Sequence, residues 1–280
     1  MTFKITHTTE YVFDSEVFIE PHYLRFRPVS TSFISVSDFS IEIEPKPAGH
    51  KVNRDSENNV IDFCWFEGLT KKLTITSKST LQTTSYNPFD FIIEPQQYNT
   101  VPFEYNPQLK ILLSSALKTV SISKHLLVYS NDILEKSNFN TISFLSNLTN
   151  KLHDDFTVEY REEGEPLDPD KTFQLKTGSC RDLAWMQIHI LRHLGFASRF
   201  VSGYYYFDME KPAYELHAWV ETYLPGTGWL GLDPSHGIFT GNTHFPIASS
   251  AYFENTMPVS GGIRGSANSK LITQLSIEKL

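Results

Sequence analysis

Three residues of this chain have the types and positions that nucleophilic chemistry needs: Cys180, His217 and Asp233. A cysteine attacks a carbonyl carbon as its thiolate, a nearby histidine takes and returns the proton, and a carboxylate orients the imidazole. Whether they act together depends on the elements that carry them.

The segment Thr177-Gly178-Ser179-Cys180-Arg181-Asp182 runs into Leu183, Ala184, Ile188, Leu191 and Leu194 and stops at Gly195. That is an amphipathic helix with a glycine C-cap, and it puts Cys180 on the first turn. Ser179 and Asp182 have capping-box spacing: Ser179 is expected to cap an N–H near Asp182 while Asp182 reaches back. A helix N-terminus offers partial positive charge and free N–H groups, which favour thiolate over thiol and can bind a developing oxyanion. Arg181 either assists that thiolate or is a solvated side chain. Cys64, in Phe63-Cys64-Trp65-Phe66, reads as a small buried strand residue.

His217 begins the alternating run His217-Ala218-Trp219-Val220-Glu221-Thr222-Tyr223, Pro225-Gly226-Thr227-Gly228 makes a turn, and Trp229-Leu230-Gly231-Leu232-Asp233-Pro234 resumes the alternation. A hairpin centred on Pro225 sets Tyr223 opposite Thr227, Glu221 opposite Trp229, Trp219 opposite Gly231 and His217 opposite Asp233, all on one face. Trp219 and Trp229 share that face and read as core before cleft wall, as does the run Tyr204-Tyr205-Tyr206. His189 and His193, four apart on the Cys180 helix, have a zinc-compatible spacing. No Glu follows His189 and no third ligand is apparent, so neither a metal nor a cofactor is expected.

Around these motifs the chain changes period. Residues 2 to about 95 alternate with period two, as in Phe39, Ile41 and Ile43 against Ser40, Glu42 and Glu44, or Leu73 and Ile75 against Thr74 and Thr76. Breaks at Pro45-Lys46-Pro47-Ala48-Gly49, Asn58-Asn59 and Asn87-Pro88 punctuate an antiparallel region, a sandwich or meander. Asn106-Pro107 then opens a helix with Leu109, Leu112, Leu113 and Leu117 on one face, and Asn140 opens another with Ile142, Leu145, Leu148 and Leu152 inward. The polar run Glu162-Glu163-Gly164-Glu165-Pro166 reads as a surface loop. An α+β fold follows: an N-terminal antiparallel β domain over 1–95, a helical connector over 96–139, and a catalytic domain of helices packed on an antiparallel sheet over 140–280. Leu271, Thr273 and Leu275 read as a last strand closing the catalytic sheet.

The 280 residues carry a net charge of -8, which argues against nucleic acid as a partner, and 40% of them are hydrophobic, enough for a proper core. With no apolar run of membrane-spanning length and no export signal at Met1, a soluble cytoplasmic protein without a membrane partner is expected. Its two cysteines are then thiols rather than a disulfide.

Thr177-Gly178-Ser179-Cys180-Arg181-Asp182, Phe200-Val201-Ser202-Gly203-Tyr204, His217-Ala218-Trp219-Val220-Glu221 and Gly228-Trp229-Leu230-Gly231-Leu232-Asp233-Pro234 together resemble the bacterial transglutaminase-like family, related to papain. The resemblance implies a papain-like catalytic domain with Cys180, His217 and Asp233 as its triad. His7-Thr8-Thr9-Glu10-Tyr11 and Pro21-His22-Tyr23-Leu24-Arg25-Phe26-Arg27-Pro28 resemble the β region that precedes this domain in one subgroup. The chain departs from the pattern at Ser249-Ser250-Ala251-Tyr252, where many members have Gly-Arg-Asp-Tyr.

The expected activity is thiol-dependent acyl transfer on amide bonds of a peptide or protein substrate. Hydrolysis leads, because no Ca²⁺-loop pattern is present and water needs no second binding site. Amine transfer by a protein-glutamine transglutaminase is the alternative, and a non-enzymatic β-rich binding protein is the third reading.

Overall fold

A computed structural model describes residues 1–161, 164–209 and 213–280. Glu162 and Glu163 of the expected surface loop lie outside the described residues.

The period-two segments form the strands β1 (Thr2–Ile19), β2 (His22–Leu24), β3 (Ile34–Glu44), β4 (Gly49–Arg54), β5 (Val60–Trp65) and β6 (Thr70–Thr83). Alternation sets their faces: Phe3, Ile5, His7 and Thr9 of β1 point inward, and Phe39, Ile41 and Ile43 of β3 are half-buried between exposed neighbours. Helices follow: α1 (Pro107–Leu112), α2 (Lys124–Lys136) and α3 (Thr141–Asp155). Asn106 and Asn140 cap α1 and α3 as their spacing predicts, each accepting an N–H from three residues on at 2.9 Å. Leu145, Leu148 and Leu152 of α3 are fully buried. The first helix is shorter than expected, ending at Leu112 with that side chain exposed, while Leu109, Leu113, Ala116 and Leu117 around it pack on the core.

The second half holds β7 (Thr157–Val158), α4 (Pro169–Leu175), β8 (Thr177–Gly178), α5 (Cys180–His193), β9 (Ser198–Tyr205), β10 (His217–Leu224), β11 (Gly228–Asp233), β12 (Ile238–Phe239) and β13 (His244–Ser250). Five of these strands make one antiparallel sheet in the order β12-β11-β10-β9-β13, and α5 packs on β10 and β9. Leu183, Ala184, Met186, Ile188, Ile190 and Leu191 of α5 are fully buried in the core between helix and sheet. At roughly 1.5–3 kcal/mol per buried large apolar side chain, this stripe holds the helix against the sheet.

The chain ends with β14 (Val259–Ser260), β15 (Ile263–Arg264) and β16 (Ser269–Lys279). The last strand does not close the catalytic sheet. It pairs with β1 from Phe3↔Lys279 to Phe13↔Ser269, in a sheet with β6 and β3, while β14 joins β2, β5 and β4. The reason is burial: Ile277 packs with Phe3, Ile5 and Leu81 of the N-terminal sheet and with Tyr204, Phe245 and Ile247 of the β9–β13 sheet, in a cluster that joins the two halves.

Candidate active site

Cys180 is the first residue of α5, and its thiol is partly exposed. The helix start is fixed by Asp182. One oxygen of this buried carboxylate accepts the Ser179 N–H at 2.7 Å and the Ser179 hydroxyl at 2.8 Å, and the other accepts the Leu167 N–H at 2.7 Å and the Arg161 guanidinium at 2.6 Å. The capping-box spacing thus ties the turn bearing Cys180 to the preceding loop as well. Gly178 is sterically required here, since an added Cβ comes within 2.8 Å of the Asp182 Cβ. Arg181 is not a solvated side chain: it lines the cleft and donates to the Arg161 carbonyl. Burial draws its guanidinium down while the charge of Cys180 acts the other way.

His217 begins β10 and pairs with Gly203 of β9. The β10–β11 ladder runs from Val220↔Leu232 to Leu224↔Gly228, so the hairpin is centred on Gly226 and not on Pro225. The cause is the turn: Thr227 N–H bonds Leu224 O at 3.0 Å, with Pro225 and Gly226 at its two central positions. Gly226 has φ +87, which a type II turn with Pro first demands of its second residue. The register slips by two, and an even slip keeps the face. His217 and Asp233 therefore meet as diagonal neighbours, Nε2 to Oδ2 2.7 Å.

Asp233 is fully buried, and three imidazoles share its Oδ2: His217 Nε2, His236 Nδ1 at 2.9 Å and His244 Nε2 at 3.2 Å. Its Oδ1 accepts the Ser235 N–H at 3.0 Å. His244 Nδ1 accepts the Gly241 N–H at 3.3 Å, which places the proton of neutral His244 on Nε2, toward Asp233. Burial works against charge on His217, but the charge and hydrogen bond of Asp233, then the hydrogen bond and charge of Cys180, push its pKa up to about 10. Burial likewise opposes ionisation of Asp233, and the charge of His217 with hydrogen bonds from His217, His236 and His244 holds it well below the usual carboxylate range. His244 is held low by burial, against the hydrogen bond and charge of Asp233. With Nε2 of His217 committed to Asp233, Nδ1 is left for Cys180.

The other sequence candidates separate from this group. Cys64 is buried on β5, where burial and the charge of Asp62 push its thiol up to about 12 against a hydrogen bond to His22. His189 lies in the core, 4.4 Å edge-on from Trp185, with burial and Arg192 drawing its pKa down to about 4, whereas His193 is exposed. They share no ligand position. Among the described residues, the donors close enough to hold a metal ion are those of His217, Asp233 and His236, all within 4.8 Å of one another. Trp219 is core, and Trp229 lies under Arg199 with the guanidinium 4.0 Å from its ring centre.

Sequence reasoning missed His236 and His244, and it read Tyr205 as core before cleft wall, whereas Tyr205 lines the cleft. Tyr205 stacks on His244 at 4.2 Å and contacts His236 at 4.5 Å. A signal for His236 was present, since it sits three residues after Asp233 in a turn. His244 had none, because the pairing of β13 beside β9 is not local.

Residues 3–82 match the Bacterial transglutaminase-like N-terminal region, and residues 129–234 match the Transglutaminase-like superfamily. The two matches fall in the order of the fold, an N-terminal β region ahead of a transglutaminase-like domain. An uncharacterized protein of Mycobacterium tuberculosis is 23% identical to it over 96% of this chain and 90% of that protein. A protein-glutamine gamma-glutamyltransferase of Pseudomonas aeruginosa is 30% identical over 76 residues, covering 25% of this chain and 11% of that enzyme. The solved structure of a candidate cysteine protease from Cytophaga hutchinsonii shares the fold at a TM-score of 0.71 and 18% identity, over 100% of this chain and 91% of that one.

Proposed function

We propose that the protein is a thiol-dependent acyl-transfer enzyme acting on amide bonds, with Cys180 as nucleophile, His217 as acid and base, and Asp233 as the group that orients His217. The observation that carries this reading is the buried Asp233 carboxylate, 2.7 Å from Nε2 of an imidazole whose other neighbour is a thiol at a helix N-terminus. A pKa near 10 keeps His217 protonated at neutral pH. The thiolate attacks the carbonyl carbon, and the N–H groups of the first turn of α5 hold the oxyanion. His217 then protonates the leaving amine, and the C–N bond breaks to give a thioacyl-enzyme. Neutral His217 next takes a proton from the acceptor, which attacks the thioester and frees Cys180.

The acceptor decides the name of the activity. Water is favoured, because hydrolysis of peptide or isopeptide bonds needs no second substrate site. Transfer to an amine is the second reading, supported by the likeness to the Pseudomonas aeruginosa gamma-glutamyltransferase. Among the described residues no helix is long and apolar enough to cross a membrane. We place the enzyme in the reducing cytoplasm, where both cysteines persist as the free thiols seen here.

The test is to incubate the protein with a peptide and isopeptide library, with and without an amine acceptor, and to identify products by mass spectrometry. Free carboxylate with or without amine supports hydrolysis, and amine incorporation into glutamine supports transfer. Neither product across the library overturns the enzyme reading.

A further inference from the structure

A cleft of about 500 Å³ runs over Cys180 and His217, and part of its lining comes from outside the catalytic sheet. On β1 these residues are His7, Thr9 and Tyr11, and on β16 they are Leu275, Thr273 and Leu271. The pairing register makes them one patch: His7↔Leu275, Thr9↔Thr273 and Tyr11↔Leu271 are direct cross-strand neighbours, and alternate residues of a strand share a face. The two ends of the chain thus build one wall of the cleft.

That wall is fixed to the catalytic half. His7 Nδ1 lies 3.2 Å from the Tyr204 hydroxyl of β9, and its Nε2 lies 3.2 Å from the Thr9 hydroxyl. Phe3, Ile5 and Ile277, on the same two strands, pack into the cluster shared with Tyr204, Phe245 and Ile247. A surface held this way is preorganised, so it can discriminate between substrates without the cost of ordering itself.

We propose that this wall is the specificity-determining surface of the enzyme, with Leu271 and Leu275 receiving an apolar side chain of the acyl-donor peptide close to the amide that Cys180 attacks. The proposal rests on the acyl-transfer reading above and adds the substrate class. Leu271 and Leu275 are half-buried on either side of exposed Thr273, and the wall carries no carboxylate, ammonium or guanidinium. Elsewhere in the cleft the described charges balance, Glu159 and Glu215 against Arg161 and Arg181. An aliphatic or aromatic side chain therefore gains by burial against the two leucines, whereas a charged one loses hydration with no opposite charge on the wall to replace it.

Binding is read in the full-length Cys180→Ala protein, which separates recognition from turnover. Fluorescent peptides differ at single positions within three residues of the candidate amide, carrying Leu, Phe, Gly, Glu or Lys. At one position the Leu and Phe peptides are expected to bind about 10- to 100-fold more tightly than the Glu peptide. Adding Leu271→Lys or Leu275→Lys is expected to weaken Leu-peptide binding at least 10-fold and to strengthen Glu-peptide binding, a gain that misfolding cannot produce. Should a lysine variant fail to fold by circular dichroism, Leu271→Ala and Leu275→Ala are expected to shift preference from Leu to Phe. Equal binding of all peptides, or a preference that none of the folded variants changes, overturns the wall. Failure of the acyl-transfer reading appears separately, as wild-type protein that binds the Leu peptide and releases no product from it.

Discussion

Asp233 Oδ2 lies 2.7 Å from His217 Nε2 although the two residues are not opposite one another in their hairpin; continuing the β10–β11 ladder sets Trp219 against Asp233. A diagonal neighbour on the same face is about 7–8 Å away at the backbone, within reach of a histidine and a carboxylate. The pair is then held by what surrounds the carboxylate, with His236, His244 and the Ser235 N–H occupying the rest of its acceptor positions.

Asp233→Asn removes the charge that keeps His217 protonated and leaves burial to dominate. We expect kcat to fall roughly 100- to 10,000-fold, a loss typical of a disabled acid–base group. Steady-state kinetics on whichever peptide the wild type turns over measures it, and a fall below tenfold contradicts the assigned role.

The pH dependence follows from the direction of the His217 shift. Its pKa is raised from 6.5 to about 10, so its stabilising contribution is complete below pH 6.5 and is lost as the pH rises through about 10. Urea midpoints of wild type and His217→Ala, compared from pH 6 to 11, should differ most at the acid end and converge toward pH 11. The rate should show an alkaline limb near pH 10, where the proton needed by the leaving amine is lost.

His244 is a positioning residue in this account, since it touches Asp233 and not the reacting atoms. His244→Leu removes one donor to Asp233 and leaves the Gly241 N–H without its acceptor. We expect kcat to drop about tenfold with KM little changed, in line with losses at residues that orient a site. His244→Gln, which can still donate, should restore most of the rate. Equal losses in the two variants would point to packing alone.

Asp182→Asn tests the link between the Cys180 helix and its preceding loop. The carboxylate is 1% exposed and serves two backbone N–H groups and Arg161. Breaking a buried pair of this kind costs about 3–5 kcal/mol, and the partial exposure of Arg161 puts the expected loss near the lower figure. Chemical denaturation measures it.

The local signals of the second half were readable in the sequence. Cys180 at a helix start followed from the Ser179–Asp182 spacing and the apolar stripe after it, and the shared face of His217 and Asp233 followed from alternation alone. Register was not readable to the same degree, because Pro225-Gly226-Thr227-Gly228 offers two turn centres: Gly226 and Gly228 both take a positive φ, and it is the Thr227 N–H bond to the Leu224 carbonyl that closes the turn on Pro225-Gly226. The placement of β16 was beyond local reading, since the alternation of Leu271, Thr273 and Leu275 fits any sheet edge and only long-range packing with Phe3 and Ile5 chooses β1. The same limit hid His244, which reaches Asp233 through the non-local pairing of β13 with β9.

The central claim is that His217 activates Cys180, and alkylation by iodoacetamide at pH 6–7 tests it most directly, with the modified residue located by mass spectrometry. The account predicts that Cys180 reacts at least tenfold faster than free cysteine, that His217→Ala removes most of this advantage, and that buried Cys64 stays unmodified in the folded protein. A Cys180 that reacts no faster than free cysteine, at a rate indifferent to His217→Ala, would contradict it.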